Sequence, residues 1–231
     1  MKISIVVPAH NESENISGLI DKIEASVDLP HELIVVDDHS SDNTQSLIRQ
    51  ACKRHKNVRL VENKLSGGFA NALRAGFASA SCEAVVPVMG DLCDDLGTVK
   101  PMLEKINEGY DIVCGSRYMR GGRRMGGSRL KAFLSGVGGS SLYYLLGIPT
   151  HDISNAFKMY RKSVLDSVKP DSTGFEISME IPLKAHCMGF KITEVPTSWK
   201  EREKGKSNFK VFKLLPRYIK LYLWAIFKRK G

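Results

Sequence analysis

Four short apolar runs in this chain are each followed at once by residues that can do chemistry. Ile3–Val7 runs into Pro8, His10, Asn11 and Glu12, and Glu32–Val36 into Asp37 and Asp38. Ala84–Met89 runs into Gly90 and Asp91, and Asp111–Cys114 into Gly115, Ser116 and Arg117. A carboxylate so placed can accept bonds from a nucleobase or ribose, or hold a divalent cation that bridges diphosphate oxygens. An arginine can bind phosphate oxygens bidentately. Each residue alone has a plainer use. Asp37 and Asp38 suit a turn or a helix cap, and Asp91 shares an acidic loop with Asp94 and Asp95. Glu12 and Glu14 suit a first helical turn, where the dipole favours acids, and His10 alone reads as structural. The recurrence of these residue types after successive apolar runs is what points to one shared site.

The elements that must position them follow a β-α rhythm. The four runs, with Val58–Val61, read as buried strands because they are continuous and β-branched. Between them lie helical patterns over Glu14–Val27, from a cap at Ser41 or Asp42 to about His55, over Phe69–Ala80 behind Gly67–Gly68, and over Gly97–Glu108. The expected class is α/β, a mostly parallel central sheet flanked by helices, with ligands bound beyond the carboxyl ends of the strands. The second half is less regular. It holds a Gly/Arg-rich loop at residues 116–131, a helix over Leu130–Leu146, a strand over Asn155–Tyr160, a helix over Phe175–Gly189 and a strand over Lys191–Val195.

The charge is unevenly spread. The 231 residues carry 34 Lys and Arg against 25 Asp and Glu, net +9. Residues 1–111 hold 11 basic and 17 acidic side chains, 112–151 hold 6 basic and no acidic, and 199–231 hold 11 basic and 2 acidic. Two basic zones on a chain whose first 198 residues are neutral overall, with no nucleic-acid-binding motif, argue against a nucleic-acid partner. In the first zone Arg117 directly follows a strand, and the glycines around it suit a mobile loop that closes over phosphate; Arg120 and Arg124 read as solvated. Arg202, Lys204, Lys206, Ser207 and Lys210 make a second cationic loop. In the C-terminal segment, Lys210, Lys213, Arg217 and Lys220 fall within about 80° on a helix, beside aliphatic and aromatic residues. That pattern suits an interfacial helix on an anionic membrane, with Pro216 kinking it or marking its start.

The five cysteines are irregularly spaced with no C-x-x-C, against a disulfide framework or a zinc site and in favour of a reducing cytosol. The N-terminus is too short before Pro8 for a signal-peptide core, and the last apolar run, Leu221–Phe227, is too short to span a bilayer. The expected location is cytoplasmic, peripheral on the cytoplasmic face of a membrane.

In order along the chain stand VVPAHNE, VVDDHSSDNT, GGFANALRAGF, MGDLCDD, GSRYMRGG and EVPTSWKEREKGKSN. Together they resemble the family-2 inverting glycosyltransferases of the GT-A fold, closest to the dolichyl- or polyprenyl-phosphate mannosyltransferases, over about residues 1–210. The resemblance implies a GT-A domain at 1–208 and a basic amphipathic segment at 209–231. It implies that Pro8, His10 and Glu12 line a nucleotide, that Val36 and Asp38 contact base and ribose, and that Gly90 and Asp91 belong to a D-x-D whose second acid holds Mg²⁺ or Mn²⁺. It implies phosphate binding at Arg117, acceptor-phosphate contacts at Arg129 and Ser135, and a substrate role for Arg202. Met89 stands where the first D-x-D acid is expected, and Asn208 where a lysine is expected.

The implied reaction moves a hexose, mannose first, from a nucleotide diphosphate sugar to a polyprenyl phosphate with inversion. The acceptor phosphate is already anionic near neutral pH and needs no protein base. The protein's task is then alignment and neutralisation of the departing diphosphate, which suits a site of acids and arginines. Two alternatives are a glycosyltransferase acting on a hydroxyl, which needs a general base, and a nucleotide-sugar-binding paralogue weakened by Met89.

Overall fold

Continuous apolar runs build the sheet as expected, each within two residues of the predicted limits, while the strand expected over Asn155–Tyr160 is found at Lys158–Arg161. The computed structural model describes residues 1–91, 93–201 and 211–228. Strands β1 (Ile3–Ala9), β2 (His31–Asp37), β3 (Val58–Glu62), β4 (Ala84–Pro87), β5 (Ile112–Ser116), β7 (Lys158–Arg161) and β8 (Ile192–Pro196) form one sheet. Its order is β3-β2-β1-β4-β7-β5-β8. All neighbours pair parallel except β7, which runs antiparallel to both β4 and β5. A separate parallel ribbon joins β6 (Arg123–Met125) to β9 (Ser198–Lys200).

The helices are α1 (Ile16–Ser26), α2 (Thr44–Arg54), α3 (Phe69–Ser79), α4 (Val99–Asn107), α5 (Arg129–Leu146), α6 (Lys162–Ser167), α7 (Ile177–Cys187) and α8 (Val211–Lys228). Both faces of the sheet are covered, which is why its strands lack a polar alternation. On one face Ile3, Ile5 and Val7 pack with Ile16, Ile20 and Ile48 of α1 and α2 and with Met102 and Ile106 of α4. On the other, Val6, Ile34 and Val36 meet Ala70, Leu73 and Phe77 of α3, and Ile177 and Ile181 of α7. Each fully buried aliphatic side chain is worth about 1.5–3 kcal/mol. Gly76 allows α3 to lie directly on β1, since a Cβ there would overlap the Val6 side chain.

A third apolar cluster joins α5, α7 and α8. Leu142, Ile148, Met179, Leu183 and Ala225 are buried in it, with Tyr218, Leu221, Tyr222 and Trp224 packed alongside. Helix α8 runs through Pro216 and turns Ile219, Leu223 and Phe227 outward, beside exposed Lys220 and Lys228. Exposed Phe133, Val137 and Tyr144 lie on the neighbouring α5. Among the described residues no helix is long and apolar enough to cross a membrane.

Candidate active site

The carboxyl ends of β1, β2, β4 and β5 open into one cavity of about 840 Å³. Pro8, His10 and Glu12 line it from β1, Asp38 from β2, Met89, Gly90 and Asp91 from β4, and Arg117 from β5. Its opposite wall is Phe133, Ser135 and Val137 of α5, Ser178 and Met179 of α7, and Leu214, Leu215, Tyr218, Ile219 and Tyr222 of α8. The cavity therefore has a charged floor and an apolar side. Eight of the eleven residues expected at the site come together here.

Of the other three, two do not line it and one lies outside the described residues. Val36 is fully buried against α3 and contributes core. Arg129 opens α5 and is exposed. Arg202 lies outside the described residues, as do Lys204, Lys206, Ser207, Asn208 and Lys210.

The loops after β1 and β2 are laced together. His10 Nδ1 pairs with the Asp38 carbonyl oxygen at 2.7 Å, and the Glu12 N–H donates to Thr44 Oγ1 at 2.9 Å. The Ser41 N–H donates to Asn11 Oδ1 at 2.8 Å, and Asn11 and His39 hold positive φ at these bends. Neither Ser41 nor Asp42 is the residue preceding α2, which is Asn43. Asp42 Oδ1 instead accepts from the Thr44 N–H and hydroxyl. His10 thus has a structural bond whatever else it touches.

Asp38 is also engaged. Its Oδ1 accepts from Asn63 Nδ2 at 2.7 Å and its Oδ2 from the Gly68 N–H at 2.8 Å. It ties the end of β2 to the start of α3, where Gly68 and Phe69 face the cavity and Phe69 stacks on Phe175 at 4.5 Å.

Asp91 turns one oxygen toward the Cys93 N–H, 3.2 Å away. A Cβ placed on Gly90 would lie 3.8 Å from Glu12 Cδ, so the Glu12 carboxyl flanks the Gly90–Asp91 turn. Asp94 is buried behind this turn and accepts the Met89 N–H at 3.1 Å. Burial, and then the charge of Asp91, push its carboxyl up to about 7. Among the described residues no three His, Cys, Asp or Glu side chains converge as a metal cage. Mg²⁺ is held by one or two carboxylates, with phosphate oxygens and water completing its shell. Asp91 beside Glu12 is a donor set that fits such an ion together with a diphosphate.

Arg117 meets a partner that sequence reasoning missed. Asp152, fully buried, accepts from Arg117 Nε at 2.7 Å, Nη2 at 2.8 Å and the backbone N–H at 3.0 Å. Burial opposes the guanidinium charge, but Asp152 outweighs it and raises the pKa further. The guanidinium therefore reaches the cavity with its orientation already set. Ser135 is held likewise, 2.5 Å from the Tyr118 hydroxyl.

The Arg-rich loop is anchored by the β6–β9 ribbon. Arg124 stacks over Trp199 at 4.7 Å, and the Gly127 N–H donates to Glu201 at 2.9 Å. Arg124 lines the cavity, although its sequence setting suggested only solvation. Helix α8 is fastened by Tyr222, whose hydroxyl donates to Ser141 Oγ at 3.0 Å, and by Arg217, 3.4 Å from Glu176.

A sheet of this order, with its cavity at the carboxyl edge, defines a GT-A glycosyltransferase fold. Solved structures of glucosyl-3-phosphoglycerate synthase from Mycobacterium tuberculosis superpose with TM-scores of 0.73 and 0.71 at 21% and 20% identity, covering 99% of this chain and 79% of theirs. The first holds phosphoglyceric acid, the second Mn²⁺, uridine diphosphate and glucosyl-3-phosphoglycerate. The chain belongs to glycosyl transferase family 2, whose profile matches residues 4–169. It is 29% identical to dolichol-phosphate mannosyltransferase of Pyrococcus furiosus, over 97% of this chain and 64% of that protein. It is 27% identical to polyprenol monophosphomannose synthase of Mycolicibacterium smegmatis, over 96% of this chain and 86% of that protein. An undecaprenyl-phosphate 4-deoxy-4-formamido-L-arabinose transferase of Proteus mirabilis is also 27% identical, over 93% and 64% respectively. The chain thus spans just under two thirds of two of these three relatives.

Proposed function

We propose that this chain is a glycosyltransferase that moves a hexose, mannose first, from a nucleoside diphosphate sugar to a polyprenyl phosphate, with inversion. The observation that carries the reading is the two-sided cavity, whose acids and arginine fit a diphosphate and whose apolar wall fits a prenyl chain. The relatives named for polyprenyl-phosphate substrates support the acceptor class.

In this reading an acceptor phosphate oxygen attacks the anomeric carbon from the face opposite the diphosphate. The bond from that carbon to the diphosphate oxygen breaks, and the nucleoside diphosphate leaves with the electron pair. Arg117, oriented by Asp152, neutralises phosphate charge. Glu12 and Asp38, which line the floor with Pro8 and His10, would face the nucleotide. Asp91, with Glu12 near it, would hold Mg²⁺ or Mn²⁺, which supplies charge neutralisation at the diphosphate. Ser135 lies on the acceptor side, with the α5–α8 wall.

Residues 1–208 are then the transferase domain, and 209–231 a segment that meets an anionic membrane surface on its cytoplasmic face. Support comes from the apolar outer face of α8, its flanking lysines and the exposed apolar residues of α5 beside it.

The test is a donor screen of GDP-mannose, UDP-glucose and UDP-N-acetylglucosamine, with Mg²⁺ or Mn²⁺ and a short polyprenyl phosphate. Radiolabel should pass into the lipid phase and be lost in Asp91→Ala. No transfer from any nucleotide sugar overturns the reading. Donor binding without turnover would favour the weakened paralogue that Met89 suggests.

A further inference from the structure

Lys158 is fully buried at the first position of β7, and nothing in the reaction described above uses it. Its ammonium donates to the main-chain oxygen of Asn155 and, at 3.1 Å, to that of Ser178. Both residues line the cavity, one from the segment entering β7 and the other from the first turn of α7. One side chain thus ties two walls together from behind. The carbonyl oxygens it binds point toward a buried nitrogen, which removes two partial negative charges from the cavity surface.

Burying an ammonium without a counter-charge is costly. The acid that acts on Lys158 is Asp152, and both its oxygens are committed to Arg117. The buried set behind the floor therefore places two cations, Lys158 and Arg117, against Asp152 as their shared anion, while Asp94, which acts on Arg117, is raised to about 7 and carries only part of a charge near neutral pH. Cys114 adds no charge, because burial pushes its thiol up to about 11. The positive charge directly behind a cavity suited to anions is thus only partly compensated.

We propose that Lys158 is a positioning residue for anionic ligands: its carbonyl bonds shape the floor, and its only partly matched charge is answered by ligand phosphate. This rests on the reading of the cavity as a site for phosphorylated substrates. A pH signature follows. The groups facing Lys158 are Cys114 on β5, Arg117 beyond β5, Asp152 in the loop before β7, and the Ser178 carbonyl of α7. Burial, with repulsion from Arg117, brings the ammonium down to about 8 against the pull of Asp152. Anion affinity should fall as pH rises through that value, because the empty site then holds a neutral amine.

The experiment is calorimetric titration of the full chain with inorganic pyrophosphate, from about pH 6 to about pH 9, for wild type, Lys158→Arg and Lys158→Met. Folding of each protein is checked by circular dichroism. Lys158→Met should bind about tenfold more weakly at neutral pH, the scale of one unit charge in a partly desolvated site. Lys158→Arg should keep the neutral-pH affinity and lose the decline above about pH 8, since a guanidinium stays charged there. A folded Lys158→Met protein that binds as wild type does overturns the proposal, as does a wild type that binds no pyrophosphate. Should Lys158→Met fail to fold, the arginine variant decides, and superimposable pH profiles for it and wild type overturn the proposal. Sugar transfer assayed in parallel separates the two readings. Pyrophosphate binding that depends on Lys158, in a protein that transfers no sugar, removes the transferase reading and leaves this one.

Discussion

Replacing Asp152 with alanine removes a buried carboxylate and leaves Arg117 desolvated with three donors unanswered, its Nε, Nη2 and backbone N–H. The Arg117 side chain is 10% exposed and that of Asp152 not at all, so water cannot replace the lost bonds without local opening. Removing one member of such a pair costs about 3–5 kcal/mol, a fall of about 6–20 °C in melting temperature for a chain of this size. Arg117→Met alone leaves Asp152 buried and unpaired, so it should cost a similar amount. The double variant removes both charges and should be far less destabilised than the two losses added together, with a coupling of about 2–3 kcal/mol. Urea denaturation of the four proteins at constant ionic strength measures this cycle. Losses that add to within about 0.5 kcal/mol would refute the claim that the guanidinium is held by this carboxylate. Transfer by Asp152→Asn gives a second readout, because the amide keeps the shape but not the charge. Its turnover should fall more than its affinity for the donor nucleotide.

Three further outcomes are expected. The raised pKa of Asp94 means that the folded protein keeps a proton which the unfolded chain releases at about 3.8. Stability from this group is full below that value and is lost as pH rises toward about 7, and Asp94→Asn should abolish the decline; parallel denaturation profiles for variant and wild type between about pH 4 and 8 would contradict this. Gly139→Ala should destabilise by about 1–3 kcal/mol, because its Cβ would overlap the His151 carbonyl and push α5 off the segment that carries Asp152, a loss read directly by thermal melting. Leu223→Glu with Phe227→Glu should weaken sedimentation with anionic vesicles while leaving the melting temperature within a few degrees, since both side chains are exposed; unchanged vesicle binding would remove α8 from the membrane reading.

The first half of the fold was legible because its signal is local. Five β-branched runs covered on both faces have no other good use, and polar residues following them had to gather at one edge. The second half depends on tertiary pairing. Asn155–Tyr160 reads as a strand, found at Lys158–Arg161, but its antiparallel insertion between β4 and β5 has no local signature. The ribbon strands β6 and β9 are three residues each, too short for any periodicity. At the site, residue types were readable and their commitments were not. Asp38 looked free for a ligand until Asn63 and Gly68 took its oxygens, and Arg117 until Asp152 did. One missed residue did carry a signal. Lys158 is a lone charge inside the run Ala156-Phe157-Lys158-Met159-Tyr160, where a solvated lysine would break the apolar pattern.

The antiparallel course of β7 has a consequence for how the chain is divided. The polypeptide leaves the sheet after β5 at Arg117 and rejoins it at Lys158 of β7, and Asp152 on the return path is bonded to Arg117 across a separation of 35 positions. Everything between them, the arginine loop and α5, is a closed excursion pinned at its neck. A pinned neck fixes the end-to-end distance of the loop, so its closure entropy changes only slowly with length. Insertions within residues 118–151 that spare β6 and α5 should therefore reshape this side of the cavity while the strands of the main sheet keep their register. A single buried ion pair thus closes the neck of the segment that carries one wall of the cavity.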